Sequence, residues 1–274
     1  MNAVPDITLN NGVKIPQLGF GTFQIPPADT RAATLTALEI GYRHIDTAQM
    51  YGNEKEVGQA VRDSGLDRDD IFVTSKLNNP FHEPAAAHAA FEQSLADLGL
   101  AHLDLFLIHW PLPATGKFVE TWKALEEIYR SGRVRAIGVS NFQPHHLRRL
   151  LEGSVVVPAV NQIEAHPYLT QDEVRAFDRE HDIATEAWSP IAKGKVLNDP
   201  IIVGIANAVG RTPAQVTLRW ALQRGDIVFP KSVTRERVEE NFALFDFELS
   251  EGDIAEISAL NRNERTGPDP EHVN

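Results

Sequence analysis

Short apolar or β-branched runs begin near Gln17, Arg43, Ile71, Leu103, Val134, Val157, Ile183 and Ile227, and segments of helical periodicity separate them. After Glu83 and Pro84, the residues Phe91, Leu95 and Leu98 share one helical face, and Gly99 supplies the stop. Phe118, Trp122, Leu125 and Tyr129 repeat the pattern, with Gly132 as the stop before Val134 opens the next strand. The strand runs are nearly continuous in apolar character, as in Leu103-Asp104-Leu105-Phe106-Leu107-Ile108, which is expected where helices cover one face and a packed interior the other. No linker or composition shift divides the chain, so the pattern predicts one α/β domain over residues 1–274. It reads as a (β/α)8 TIM barrel rather than a two-domain Rossmann arrangement. Ahead of the first strand, Ile7 to Lys14 reads as a β-hairpin around Asn11-Gly12. Between Ile183 and Ile227 two helical patterns fall in one interval, so an extra helix is expected towards the C-terminus, followed by a polar tail from Asn261.

Composition narrows the class. The chain has 274 residues, 42% of them hydrophobic, enough to bury a core without disulfides, and it contains no cysteine. That excludes thiolate nucleophiles and Cys-ligated zinc. The net charge of −12 disfavours nucleic acid and anionic membranes as partners. The N-terminus lacks the basic start and apolar run of a signal peptide, and no apolar stretch approaches the roughly 18 residues of a membrane helix. A cytoplasmic, monomeric protein is expected. The ten histidines are scattered, with His145-His146 the single adjacent pair, so no metal site is expected.

In a barrel, reactive groups belong at the carboxyl ends of strands. Those ends carry Asp46 with Tyr51 close behind, then Lys76, His109, Ser140-Asn141, Gln162, Trp188 and Lys231-Ser232. Taken singly, each has a bland reading as a structural or solvated residue. Together they suit one reaction. A tyrosine hydroxyl is a weak acid, and the ammonium of Lys76 would lower its pKa, with Asp46 keeping the lysine charged. His109 would donate a second hydrogen bond to a carbonyl oxygen gaining negative charge. Proton donor and oxyanion stabiliser together imply carbonyl reduction, and the missing hydride implies a nicotinamide cofactor. Reduction is then expected to fall at high pH as Tyr51 loses its proton, and oxidation to prefer higher pH.

Leu18-Gly19-Phe20-Gly21-Thr22, Asp46-Thr47-Ala48 with Tyr51-Gly52-Asn53-Glu54, Thr74-Ser75-Lys76-Leu77, Leu107-Ile108-His109-Trp110-Pro111, Ile137 to Phe142, Asn161-Gln162 and Pro230-Lys231-Ser232-Val233 run in one order along the chain. In these segments the sequence resembles the aldo-keto reductases, most of all the bacterial 2,5-diketo-gluconate reductase group. The resemblance implies a barrel that binds NADPH without a Rossmann fold, in keeping with the missing third glycine after Gly19 and Gly21. It makes Tyr51 the general acid, supported by Lys76 and Asp46, with His109 orienting the carbonyl. Gly21 and Thr22 would border the cofactor. Ser140, Asn141 and Gln162 would hold the nicotinamide carboxamide, Trp188 would stack on the ring, and Ser189 would lie beside it. Arg237 would pair with the 2′-phosphate, with Lys231, Ser232 and Val233 at its edge and Glu240 and Asn241 against the adenine.

The segment Lys231 to Arg237 holds three cations and one anion at a helix start, so NADPH is expected over NADH. Phe23, Gln49, Met50 and Trp110 are candidate pocket walls. Many relatives place Trp then Asn directly after Lys-Leu, whereas this chain reads Asn78-Asn79-Pro80-Phe81, which alters the expected pocket. Small dicarbonyls or keto sugars such as 2,5-diketo-gluconate are candidate substrates. Two other readings are a Schiff-base barrel aldolase using Lys76, which leaves Tyr51, His109 and the basic segment unexplained, and a non-catalytic NADPH-binding module.

Overall fold

The computed structural model describes residues 4–273, so the extreme ends of the predicted 1–274 domain lie outside the described residues. Strands β1 (Asp6–Thr8) and β2 (Lys14–Pro16) form the expected hairpin, with Ile7 opposite Ile15 and Gly12 at φ 84°. Eight parallel strands follow with their helices. These are β3 (Phe20–Gly21) and α1 (Pro27–Ile40), β4 (His44–Asp46) and α2 (Glu54–Asp63), β5 (Phe72–Leu77) and α3 (Pro84–Leu98), and β6 (Leu103–Ile108) and α4 (Phe118–Arg130). Next come β7 (Val134–Ser140) and α5 (Pro144–Glu152), then β8 (Val160–Glu164) and α6 (Asp172–Glu180). Strand β9 (Ala184–Trp188) precedes both α7 (Pro200–Val209) and α8 (Pro213–Gln223), the two helices expected in that interval; β10 (Ile227–Val228), α9 (Arg235–Phe242) and α10 (Glu251–Ser258) complete the chain.

Strands β3 to β10 are neighbours in chain order. A parallel bridge between Leu18 and Val228, with Val228 N donating to Gln17 O at 3.0 Å and Gly19 N to Val228 O at 2.8 Å, joins the last strand to the first and closes the barrel. This closure needs glycine at 21: a Cβ there would lie 2.9 Å from the carbonyl oxygen of Phe229. Residues 17–19, read as the start of the first strand, serve in this bridge, so β3 itself begins at Phe20. The run from Val157 becomes a strand only at Val160, since Pro158 has no N–H for the ladder.

Alternation within the strands sorts side chains between two regions. Phe72, Leu105, Leu107, Ala136, Val160 and Ile227 fill the lower barrel interior, plugged from below by Leu9 and Ile15 of the hairpin. Val73, Phe106, Ile108, Ile137 and Ile163 face outward onto the helices, in the larger core with Trp122 and Phe91. The apparent continuity of the strands is therefore two interleaved apolar sets. The inward rows that begin with Phe72, Val160 and Ala184 continue upward to Lys76, Gln162 and Glu186, so the barrel interior turns polar at its carboxyl end.

Candidate active site

Asp46 ends β4, and the short 3-10 turn Gln49–Tyr51 directly after it carries Tyr51 back over the mouth. Lys76, fully buried on β5, donates to both carboxylate oxygens of Asp46 at 2.8 Å, to Thr47 O at 2.9 Å and to the Tyr51 hydroxyl at 3.3 Å. Burial pulls the Lys76 pKa down, but Asp46 and then Tyr51 outweigh it and leave it above the ordinary lysine value. The side chain is thus an ammonium with its hydrogen bonds committed, a poor nucleophile for a Schiff base.

Burial also pushes the Tyr51 hydroxyl up to about 12, and Lys76 offsets only part of the rise. The net direction is opposite to the one the sequence suggested, because the low-dielectric surroundings that strengthen the lysine's pull also penalise phenolate. Asn53, fully buried, donates to Thr22 O and Ile25 O and accepts from Thr47 Oγ1, fixing the loop that carries Tyr51.

The His109 ring lies 5.8 Å from that of Tyr51 and stacks near Trp110. Burial first and Lys76 second hold its pKa well below 6.5, so the imidazole is neutral. Its Nδ1 is buried with no hydrogen-bond partner among the described residues. Phe23, half exposed, packs at 5.0 Å from Tyr51, and Met50 is also exposed beside it. Gln49 is engaged elsewhere: its Nε2 donates to Ala90 O and its Oε1 accepts from Asn78 N, stapling the Tyr51 turn to α3 and to the loop after β5.

Ser140, Asn141 and Gln162 stand together on β7 and β8. Ser140 Oγ donates to Gln162 O, and Asn141, at φ 67°, donates through Nδ2 to His109 O and accepts at Oδ1 from Trp188 Nε1 at 2.9 Å. Gln143 stands at the N-cap of α5. Thr22 is buried, with Oγ1 on Asp46 O, and Ser189 adopts φ 51° after the half-buried Trp188. On the far side, Lys231 and Arg237 are exposed and make no described ion pair or hydrogen bond through their side chains, while Thr234 leaves the start of α9 without a side-chain cap. Free cations beside uncapped amides fit a phosphate. Arg235, counted with them in the sequence, is spent on Glu39 and Glu239. Ser232 forms a turn with Thr234, Val233 is exposed, and Glu240 accepts from Thr212 Oγ1 with Asn241 half-buried beside it.

Two features escaped the sequence reading, Glu186 and a His–Glu cluster, and a third, a tail free in the sequence to fold over the mouth, is given its place. Glu186 lies two residues before Trp188 on β9, an inward position that strand alternation could have revealed; it is fully buried, and burial, reinforced by Asp46, pushes it up to about 8. The tail crosses the mouth. Thr266 donates to Glu164 through both N and Oγ1, Lys193 donates to Thr266 O, Lys195 pairs with Glu264, and Gly267 lies so close to Trp188 that a Cβ would meet the indole at 2.3 Å. The fold also brings Glu271 from far along the chain to the adjacent His145 and His146, with their ligand atoms within 4.8 Å of one another. His146 Nδ1 accepts from Gln143 N, which puts the ring proton on Nε2, facing Glu271 Oε1 at 3.7 Å. That nitrogen offers Glu271 a proton rather than offering a cation a lone pair.

A fully buried lysine clamped between a carboxylate and a phenol at the carboxyl mouth of a closed barrel is the arrangement of a carbonyl oxidoreductase. The chain belongs to the Aldo/keto reductase family, whose model matches residues 17–262. It is 53% identical over 270 residues to an aldo-keto reductase of Mycolicibacterium smegmatis, covering 98% of each chain. It is 45% identical over 268 residues to the glyoxal reductase of Bacillus subtilis, covering 97% of this chain and 96% of that one. A solved mutant of Gox0644 in complex with NADPH superposes with a TM-score of 0.96 at 44% identity, each chain covered in full at 100%. Among the described residues no helix is long and apolar enough to cross a membrane.

Proposed function

We propose that this chain is an NADPH-dependent reductase of aldehydes and ketones, with Tyr51 as general acid and small dicarbonyls as the favoured substrate class. The observation that carries the reading is the Tyr51 hydroxyl, 3.3 Å from a lysine whose charge is fixed by Asp46. NADPH, when bound, supplies the hydride. Tyr51 gives its proton to the carbonyl oxygen as that oxygen gains negative charge, and the phenolate left behind rests against the Lys76 ammonium until solvent reprotonates it. Neutral His109 donates one hydrogen bond to the same oxygen and fixes the side from which the carbonyl enters. Lys231, Arg237 and the α9 amides would hold the phosphate end, and Ser140, Asn141, Gln162 and Trp188 the nicotinamide end.

Phe23, Met50 and Trp110 surround the acid with few charges, and the similarity to a glyoxal reductase supports small dicarbonyls ahead of a keto sugar such as 2,5-diketo-gluconate. The enzyme is read as a cytoplasmic monomer. Tyr51→Phe tests the assignment, with turnover followed by NADPH absorbance over a panel of glyoxals, simple aldehydes and keto sugars. Turnover is expected to drop by roughly 10²-fold to 10⁴-fold while NADPH still binds. Unchanged turnover would remove Tyr51 as the acid.

A further inference from the structure

Gln162 and Glu186 are register partners on β8 and β9, both pointing into the barrel. Gln162 Nε2 donates to Glu186 Oε2 at 2.8 Å and to Asp46 Oδ2, across the barrel, also at 2.8 Å. All three side chains are buried, at 2% exposure or less. Both neighbours of that nitrogen are carboxyl oxygens, so only the NH2 end of the amide can occupy the position; the reversed amide would set its oxygen against two others. Both hydrogens are used there, and Oε1 makes no hydrogen bond to the described residues. A line of polar groups thus runs from Glu186 through Gln162, Asp46 and Lys76 to the Tyr51 hydroxyl.

We propose that Glu186 is a positioning residue for the cofactor: by accepting the second Gln162 hydrogen it locks the amide with its oxygen towards the mouth, so that Gln162 receives a hydrogen bond from the nicotinamide carboxamide NH2. The proposal rests on the placement of the nicotinamide beside Gln162 given above. Asp46 by itself satisfies one hydrogen and leaves the amide free to turn about its last torsion and bring a donor to the mouth. Glu186 removes that freedom. The lock requires Glu186 Oε2 as acceptor, as in the ionised carboxylate or in the neutral acid with its proton on Oε1.

The test compares NADP+ with its 3-acetylpyridine analogue, in which a methyl group replaces the carboxamide NH2. Affinities are read from quenching of protein fluorescence in the wild type, Glu186→Gln and Glu186→Met, with Glu186→Leu as the alternative apolar variant if the Met variant does not fold. The wild type is expected to prefer NADP+ by about tenfold, the worth of one well-placed hydrogen bond. Glu186→Gln, which keeps an acceptor oxygen in place, retains that preference, and the apolar variants lose most of it. An apolar variant that folds and discriminates as the wild type does overturns the role of Glu186, as does a Gln variant that loses all discrimination. A wild type that fails to distinguish the two cofactors overturns instead the placement of the nicotinamide at Gln162, and the proposal with it.

Discussion

Tyr51 lies between two opposed influences, and their balance sets the pH behaviour of the enzyme. Burial raises the phenol and Lys76 lowers it, ending at about 12. In the proposed role as acid, Tyr51 therefore keeps its proton through neutral and mildly alkaline pH. The rate of reduction under saturating substrate is expected to stay level through neutral and mildly alkaline pH; a falling limb with a midpoint near about 9 would mean that Lys76 outweighs burial. Asp46, Lys76 and His109 were legible in the sequence because each lies at the end of a strand run, with Tyr51 close behind Asp46, and a barrel brings all such ends to one mouth. Their energetic balance was not, since dielectric surroundings depend on packing from several elements. Gln49 illustrates the same limit: its place beside Tyr51 in the chain suggested a pocket wall, yet its amide is consumed by Ala90 and Asn78.

At the scale of elements, α9 is where we propose that the two nicotinamide cofactors are told apart. Its start has no side-chain cap, and Arg237 on its first turn has no side-chain partner among the described residues, whereas Arg235 is balanced by two glutamates. Arg237→Ala is expected to weaken NADPH binding by roughly tenfold and leave NADH nearly unchanged; an unaltered ratio of the two dissociation constants would refute the pairing with the 2′-phosphate. Helices were readable where an apolar stripe and a glycine stop coincide, as in α3 and α4, which end before Gly99 and Gly132 at φ 63° and 77°. The tail was legible as a polar loop able to fold over the mouth, without a fixed place. Its hold on Glu164, Lys193 and Lys195 depends on residues up to 103 positions away, and no local pattern encodes such pairing.

Across the whole molecule, buried titratable groups shape stability in two opposed directions. Burial holds Asp178 up at about 7 and Glu186 at about 8, so the folded chain binds protons that the unfolded chain has released; their contribution is full at low pH and is lost as pH rises. His44, His82 and His146, held at about 4 chiefly by burial against an ordinary 6.5, act the other way, and stability falls as pH drops through that interval. Above 6.5 the carboxyls act without this opposition. The thermal midpoint is expected to decline between pH 6.5 and 8, and the double variant Asp178→Asn, Glu186→Gln to flatten that decline; an equal decline in the variant would refute the assignment.

The bridge from Leu18 to Val228 also has a consequence for the order of events during synthesis. The first barrel strand finds its second neighbour only when Val228 has been made, so the cylinder cannot shut while most of the chain is still emerging. Until then the N-terminal edge carries unpaired amides and carbonyls, a template for another chain. A ribosome halted before Ile227 therefore releases an open, adhesive sheet, and escape from aggregation waits on the segment that carries Val228.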